Sequence, residues 1–256
     1  MTAPGKGEKM KKKVHYIMPM GGGGTRFGNT GFHVPKPLIE IHGKPFFYWA
    51  TQSLMKYVEV CDLTFVVLQE HIDNFDIDKK ILELYPQALI KVIPQVLNGA
   101  VLTCKEGAET IHDDLPIVFN DCDHMFISKE FNDFCNNGDF SYIDGAILTF
   151  ISKDPRYSFA KFDEEGYISR TVEKEAVSDE AICGVYYFKN RQVFQRATEK
   201  YLNHCQYKEF FVSGLYNEMA AEGLKSVSFP VDLHISFGTP EEYEEALNRE
   251  EFEEFI

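Results

Sequence analysis

Four consecutive glycines follow the first apolar segment of the chain. That segment, residues 15–20, predicts a buried strand, and the loop after it comprises Gly21, Gly22, Gly23, Gly24 and Thr25. Glycines let the backbone approach an anion closely and point successive N–H groups at it. Arg26, the next residue, adds a permanent positive charge that can bind a phosphate through two hydrogen bonds. The loop therefore predicts a phosphate-binding site at the end of the first strand.

Neither of two common phosphate-binding patterns fits this loop. The dinucleotide fingerprint G-x-G-x-x-G fails, because frames that start at Gly21 or Gly22 end on Arg26 or Phe27. The P-loop pattern fails because Asn29 stands where that pattern requires a lysine. Considered alone, the loop also fits a flexible glycine-rich turn that binds nothing.

Two lysine-containing motifs follow the loop, Pro35-Lys36-Pro37-Leu38 and Gly43-Lys44-Pro45. Together with the loop they closely resemble the signature of the sugar-1-phosphate nucleotidyltransferases, a strand followed by G-G-x-G-T-R, P-K-P-L and G-K-P. The resemblance covers nearly the whole chain, from about residue 16 to residue 247. It implies a nucleotidyltransferase that joins the NMP part of an NTP to a phosphorylated small molecule, such as a sugar 1-phosphate, and releases pyrophosphate.

The resemblance also assigns roles on the nucleotide side. Arg26 and the loop N–H groups would hold the β- and γ-phosphates, and Lys36 would neutralise the α-phosphate. Gln95 would contact the base edge, and Gly99 would let the base lie close. Asp123 matches the family's metal-binding aspartate, which implies Mg²⁺ as a cofactor because this hard cation prefers oxygen ligands.

Three further residues match the family's acceptor site. Glu173 and Glu209 would accept hydrogen bonds from the acceptor, and Lys174 would hold its phosphate. Lys174 also has an ordinary interpretation as a solvated lysine, and Glu209 as a surface carboxylate.

The sequence departs from the family pattern at two places. Ser236 stands where the family usually has a second metal-binding aspartate, and Asp232 is a speculative substitute for it. Tyr157-Ser158 replaces a Tyr-Gly pair, so a side chain at position 158 could intrude on a sugar ring. The acceptor could therefore be an uncommon sugar phosphate or a non-sugar phosphate, such as that of a polyol or an amine. Which NTP is used stays open.

Two other functions remain as alternatives. A glycosyltransferase of the same fold would use Asp121-Cys122-Asp123 as a D-x-D metal motif, although it has no triphosphate tail for the loop, Arg26 and Lys36 to bind. A non-catalytic nucleotide- or sugar-sensing module is favoured only by Ser236.

Composition narrows the partners and the compartment. The net charge of −14 over 256 residues repels nucleic acid and anionic membranes, so neither is expected as a partner. No apolar run reaches the length of about 18 residues that spans a membrane, and we expect a cytoplasmic protein. The six cysteines show no C-x-x-C spacing and indicate free thiols; Cys122-x-His124 could be half of a metal site, but no second half is evident.

The elements that must position these residues alternate between strands and helices in the first half of the chain. Strands are predicted at 63–68, 88–93, 117–120, 144–151, 160–162, 167–172, 182–188 and 226–231, and helices at 45–57, 76–85, 98–111, 191–204, 212–222 and from 240 onwards. Thr239, Pro240 and Glu242 predict a capping box at the start of the last helix. This order predicts an α/β protein with a mixed, mainly parallel central sheet and helices on both faces, the Rossmann-like fold of nucleotidyltransferases. Residues 1–13 are expected to form a disordered basic arm and residues 14–256 a single domain. A homo-oligomer is one option, since relatives often assemble.

Overall fold

The computed structural model describes residues 13–24, 27–28 and 31–255. The predicted arm therefore lies outside the described residues except for Lys13, whose Nζ is 2.9 Å from a carboxylate oxygen of Glu59. Thr25 and Arg26 also lie outside the described residues.

Thirteen strands lie in the described part of the chain. They are β1 (Val14–Pro19), β2 (Glu40–Ile41), β3 (Lys44–Pro45), β4 (Val60–Leu68), β5 (Leu89–Ile93), β6 (Ile117–Asn120), β7 (His124–Ile127), β8 (Gly145–Ile151), β9 (Ser158–Phe162), β10 (Ile168–Glu173), β11 (Glu180–Phe188), β12 (Ser226–Pro230) and β13 (Leu233–Ser236).

Eight α-helices accompany them within the same described residues. They are α1 (Phe46–Met55), α2 (Gln69–Phe75), α3 (Ile77–Leu84), α4 (Ala100–Ala108), α5 (Lys129–Asn137), α6 (Arg191–His204), α7 (Leu215–Ala221) and α8 (Pro240–Ala246). Short 3₁₀ helices occupy Lys36–Leu38, Val212–Gly214 and Glu250–Phe255.

Nine of the strands form one mixed sheet, with the order β10-β9-β11-β6-β1-β4-β5 and with β8 and β12 joined beside β11. The pairs β1–β4, β1–β6, β4–β5 and β8–β12 are parallel, whereas β11 runs antiparallel to β6, β8 and β9. The mixed α/β fold predicted from the sequence is confirmed.

Apolar side chains cover both faces of this sheet. On β1, Tyr16 and Met18 pack into one buried cluster with α1 and α3, while Ile17 between them packs into another with α4 and α6. This alternation follows from the two-residue period of a strand. Helices therefore bury both faces, as expected for parallel strands.

Six strands and α-helices were not predicted: β2, β3, α2, β7, α5 and β13. β7 is only four residues long and pairs antiparallel with β13, its partner more than 100 residues later in the chain. So short a segment has no periodic signal of its own, and the pairing that stabilises it is tertiary. The helix expected at 212–222 instead begins with a 3₁₀ turn at Val212–Gly214.

Within the described residues, the helices are all too short or too polar to cross a bilayer.

Candidate active site

The carboxyl ends of β1 and β6 lie side by side. The two strands are parallel neighbours, with Ile17 opposite Phe119. The glycine loop leaves the end of β1, and Asp121 and Asp123 follow the end of β6. Ligands of parallel sheets bind at such strand ends, so the topology brings both sequence motifs to one edge.

Lys36 and Asp123 form an ion pair at this edge, with Nζ 2.7 Å from Oδ2. Lys36 is the first residue of the 3₁₀ helix, and it lies between Pro35 and Pro37, which restrict the backbone there. Burial opposes the charge on Lys36, but Asp123 and its neighbours outweigh that effect and raise the lysine pKa above its ordinary value. Lys36 therefore stays protonated at neutral pH.

Two glycines make room for the two carboxylates. A Cβ on Gly184 would lie 2.7 Å from Oδ2 of Asp121, and a Cβ on Gly238 would lie 2.6 Å from Oδ2 of Asp123. Both distances are too short for a real contact, so a side chain at either position would displace a carboxylate. Neither glycine is predicted from the sequence to be a site residue.

Burial and the neighbouring Asp123 raise the pKa of Asp121 to about 7, and Lys36 only partly offsets them. Among the described residues, Lys36 lies between two close carboxylates, so negative charge exceeds positive charge at this point. Such an excess favours binding of a cation.

The turn that carries Gly238 is fixed by the start of α8. The Thr239 hydroxyl accepts a hydrogen bond from the Glu242 N–H at 3.3 Å, and Oε2 of Glu242 accepts from the N–H groups of Gly238 and Thr239, each at 3.1 Å. This confirms the predicted capping box. These hydrogen bonds fix the turn beside Asp123. The Asp123 backbone carbonyl also accepts a hydrogen bond from the Phe237 N–H at 2.9 Å.

Two cavities meet at the carboxylates. The first, about 390 Å³, is lined by the glycine loop through Gly22 and Gly24 and by Lys36. The second, about 760 Å³, is lined by Glu173, Lys174 and the β7–β13 ribbon. Both are lined by Asp121, Asp123, Glu209 and Gly238. Pockets of this size hold small organic ligands.

Neither Gln95 nor Gly99 lines the first cavity, although Ala100, the residue after Gly99, does. Gln95 is exposed just beyond the end of β5. A Cβ on Gly99 would lie 2.3 Å from the backbone nitrogen of Phe210, so the approach of that segment accounts for the glycine. This contact holds Glu209, the residue before Phe210, at the wall of the first cavity.

The second cavity contains the predicted Glu173-Lys174 pair. The Ser213 hydroxyl donates a hydrogen bond to Oε1 of Glu173, and burial raises the pKa of this carboxyl. Lys174 has a φ of 57°, a left-handed conformation rare for a non-glycine residue, and its Nζ lies 5.3 Å from the centre of the Phe211 ring. Such conformations cluster at functional sites, although His42 and Asp76, which line neither cavity, adopt one too.

The two departures from the family pattern also lie in the second cavity. Ser236 is opposite His124 in the β7–β13 ladder, and Ser158 is opposite Glu173 in the β9–β10 ladder. Asp232 lies at the other end of β13, where Oδ2 accepts from the Lys129 N–H at 2.8 Å at the start of α5. The suggestion that Asp232 substitutes for a metal ligand is therefore wrong.

Comparisons with known proteins agree with this fold and site. The sequence model of the family described as "Nucleotidyl transferase" matches residues 17–251. The chain belongs to this family of nucleotidyl-transferring enzymes. None of the curated proteins compared with the chain matches it.

Two solved structures show how widely the fold is shared. The nucleoside-diphosphate-sugar pyrophosphorylase from Vibrio cholerae RC9 has a TM-score of 0.80 and 23% identity, covering 91% of this chain and 100% of its own. The inositol-1-phosphate CTP transferase from T. maritima has a TM-score of 0.73 and 16% identity, covering 95% of each chain. These likenesses establish the nucleotidyltransferase fold.

Proposed function

We propose that the protein transfers NMP from an NTP to the phosphate of a small phosphorylated acceptor, with Mg²⁺ as cofactor and pyrophosphate as the second product. The observation that carries the proposal is the position of the Lys36–Asp123 pair. It lies where a cavity bordered by the glycine loop meets a cavity bordered by Glu173 and Lys174. The proposed reaction requires two anionic substrates to meet, and this junction would let each occupy one cavity.

The reaction needs no protein nucleophile. An ionised oxygen of the acceptor phosphate attacks the α-phosphorus, an oxygen–phosphorus bond forms, and the bond from the α-phosphorus to the bridging oxygen breaks. The electron pair of that bond leaves with pyrophosphate. The chain therefore contributes alignment and charge neutralisation.

Each side of the junction has a cation for its anion. Lys36 would donate to the α-phosphate as negative charge builds on it, and Lys174 would hold the acceptor phosphate. The N–H groups of residues 21–24 and the guanidinium of Arg26 would hold the leaving pyrophosphate. Glu209, which borders both cavities, is placed to contact either substrate.

The donor set fits Mg²⁺. Asp123 and Asp121 are carboxylates at a solvent-accessible cavity, and a hard divalent cation prefers such oxygens together with the phosphates of its substrate. When bound, the ion would supply positive charge to the phosphates. Asp123 would hold it and Asp121 would support it.

The second cavity favours an acceptor that carries hydroxyl or amine groups beside its phosphate. Glu173 is a partly buried carboxylate that accepts a hydrogen bond from Ser213, and Ser158 and Ser236 add short polar side chains. A sugar 1-phosphate fits this chemistry, and so does a phosphorylated polyol. One structural neighbour is described as acting on inositol 1-phosphate, which supports including polyols.

The test is release of pyrophosphate by the purified full chain with Mg²⁺. Each of the four NTPs is paired with sugar 1-phosphates, polyol phosphates and amine phosphates. We expect release with one NTP and one acceptor class, and loss of that release in Lys36→Ala. Absence of NTP binding to the folded wild-type protein would overturn the proposal.

A further inference from the structure

Three metal-binding side chains meet at the wall of the second cavity: His124, Cys183 and His234. One ligand atom from each residue lies within 4.8 Å of the other two. His124 and Cys183 are buried, with 2% and 7% of their surfaces exposed, and His234 is largely buried. The proposed NMP transfer uses none of the three.

Their positions follow from the strands that carry them. His124 starts β7 and His234 lies on β13, with His234 opposite Phe126, so the two histidines are diagonal neighbours in the ribbon. Their ring centres are 5.5 Å apart. Cys183 lies on β11 where the pairing with β8 is interrupted between Ile182 and Tyr186. Such an irregularity re-aims a side chain away from the regular pleat.

Hydrogen bonding leaves one nitrogen of His124 ready to bind a metal. Asn120 donates its amide N–H groups to the Tyr16 hydroxyl and the Ala50 carbonyl, so its Oδ1 faces His124 Nε2 as an acceptor at 2.7 Å. His124 must therefore carry its proton on Nε2, which leaves a lone pair on Nδ1. Metal-binding histidines are commonly oriented by such a bond from the other ring nitrogen.

The available nitrogens are buried and have no hydrogen-bond partner. This holds for Nδ1 of His124 and Nε2 of His234, as far as the described residues show. Burying a polar atom without a partner costs free energy, roughly 1–3 kcal/mol. Two such atoms beside a free thiol point to a ligand that binds all three.

We propose that His124, Cys183 and His234 form a site for a transition-metal ion, with Zn²⁺ as the favoured occupant. A thiolate and two imidazoles are ligands that zinc prefers over the oxygen ligands of Mg²⁺. In tetrahedral zinc sites the Zn–S bond is about 2.3 Å and the Zn–N bonds about 2.0 Å, so ligand atoms lie roughly 3.3–3.6 Å apart. Movements of the three side chains on the order of an ångström would bring their ligand atoms to these distances.

Binding requires the Cys183 thiol to release its proton to solvent, since the thiolate is the ligand. Three protein ligands leave one position of a tetrahedral ion open, and the residues line the second cavity. An oxygen of water or of a bound acceptor would fill that position. Only this last step rests on the proposed function.

His15, Cys61 and Asp62 form a second cluster whose ligand atoms lie within 4.8 Å of one another. Ion pairs within the protein explain this cluster without a metal. Nε2 of His15 lies 2.8 Å from Oδ1 of Asp113, and Nδ1 lies 3.0 Å from Oδ2 of Asp62. Both ring nitrogens therefore have partners, in contrast to His124. This cluster provides the control for the test.

The test uses the full chain with its thiols reduced, stripped of metal by dialysis, and kept in excess Mg²⁺ to occupy carboxylate sites. Co²⁺ is the probe, because a thiolate ligand produces a near-ultraviolet charge-transfer band that carboxylates do not. We expect the band to saturate at one equivalent and to disappear when one equivalent of Zn²⁺ is added. No substrate is present, so the result is independent of NMP transfer.

Variants then locate the site. Cys183→Ser should abolish the band, and His234→Gln should weaken Zn²⁺ binding by more than about 100-fold, beyond the usual effect of losing a group that only orients a ligand. Cys61→Ser should bind as the wild type does, and circular dichroism checks that each variant is folded. Absence of the band in the wild type, or its loss in Cys61→Ser with retention in Cys183→Ser, would overturn the proposal.

Discussion

Nζ of Lys36 lies 2.7 Å from Oδ2 of Asp123. In the proposed reaction each of these two groups binds a different partner. The lysine is the expected ligand of a phosphate, and the carboxylate is the expected ligand of a metal. In the free protein the two charges compensate each other, which lowers the cost of holding them in a partly buried site. In the proposed reaction, the substrate phosphate would replace Asp123 as the partner of Lys36, and the metal would replace Lys36 as the partner of Asp123.

Replacing Lys36 by Ala should lower kcat by about 100- to 1,000-fold, the usual effect of removing one charge-stabilising donor from a transition state. Lys91→Ala is the matched control, because Lys91 has an equally short ion pair, 2.7 Å to Glu109, outside both cavities. Initial rates of pyrophosphate release measure both variants. Equal losses in the two would exclude a specific role for Lys36.

The same exchange predicts an effect on metal affinity. Without Lys36, Asp123 loses the positive charge that lies 2.7 Å from its Oδ2, so Mg²⁺ should bind the substrate-free Lys36→Ala protein more tightly than the wild type. Isothermal titration calorimetry with MgCl₂ measures this difference. Unchanged or weaker binding would show that the ion pair does not compete with the metal.

Asp123→Asn should raise the Mg²⁺ concentration for half-maximal activity more than about tenfold, because an amide is a weaker ligand than a carboxylate. Asp232→Asn is the control: its carboxylate binds the Lys129 N–H, so the variant should lose some stability and keep its Mg²⁺ dependence. The activity of each variant is titrated with MgCl₂. A larger shift in Asp232→Asn would reverse the assignment.

Ser236→Asp should lower the Mg²⁺ concentration for half-maximal activity roughly three- to tenfold, since an added carboxylate near the ion contributes about 1 kcal/mol. Ser236 pairs with His124 in the β7–β13 ladder, and His124 directly follows Asp123 in the sequence. Ser236→Asn has the same size without the charge and should show no gain. A gain in both variants would point to side-chain packing instead.

Glu173→Gln should separate stability from acceptor binding. Burial raises the pKa of Glu173 above 4.5, so the folded state binds its proton more tightly than the unfolded chain does. Stability from this group is therefore greatest at low pH and falls as pH rises through the folded-state pKa. The variant should melt at a higher temperature than the wild type at pH 7, and the gain should shrink as pH approaches 4.5.

The acceptor KM of Glu173→Gln should rise, because the amide is a poorer hydrogen-bond acceptor than the carboxylate. Glu175→Gln, an exposed neighbour, is the control for both measurements. Melting curves across pH and initial rates at pH 7 supply the data. A lower melting temperature at every pH would mean that the Ser213 hydrogen bond to Glu173 outweighs the cost of burial.

The sequence could predict those features that carry local signals. The alternation of strands and helices indicated the fold, and Thr239, Pro240 and Glu242 marked the start of α8 correctly. The family motifs assign Lys36 and Asp123 to one site, and the two side chains do meet. Both roles in the reaction stay predictions.

Other features depend on contacts between distant segments. Ser213 binds Glu173 across 40 residues, and His234 lies beside His124 because β13 pairs with β7. The spacing of Cys122-x-His124 suggests half of a metal site, but the thiol grouped with His124 in the structure is that of Cys183, from a distant strand. Nothing in the local sequence distinguishes these residues from ordinary core positions.

The central claim is tested most directly by following the α-phosphate. The protein is incubated with Mg²⁺, an acceptor identified by the pyrophosphate screen, and an NTP labelled at the α-phosphorus; products are separated and identified by mass spectrometry. We predict one labelled NMP–acceptor conjugate for every pyrophosphate released, with neither formed by Lys36→Ala at a comparable rate. Label recovered as free NMP or NDP, without a conjugate, would contradict the account.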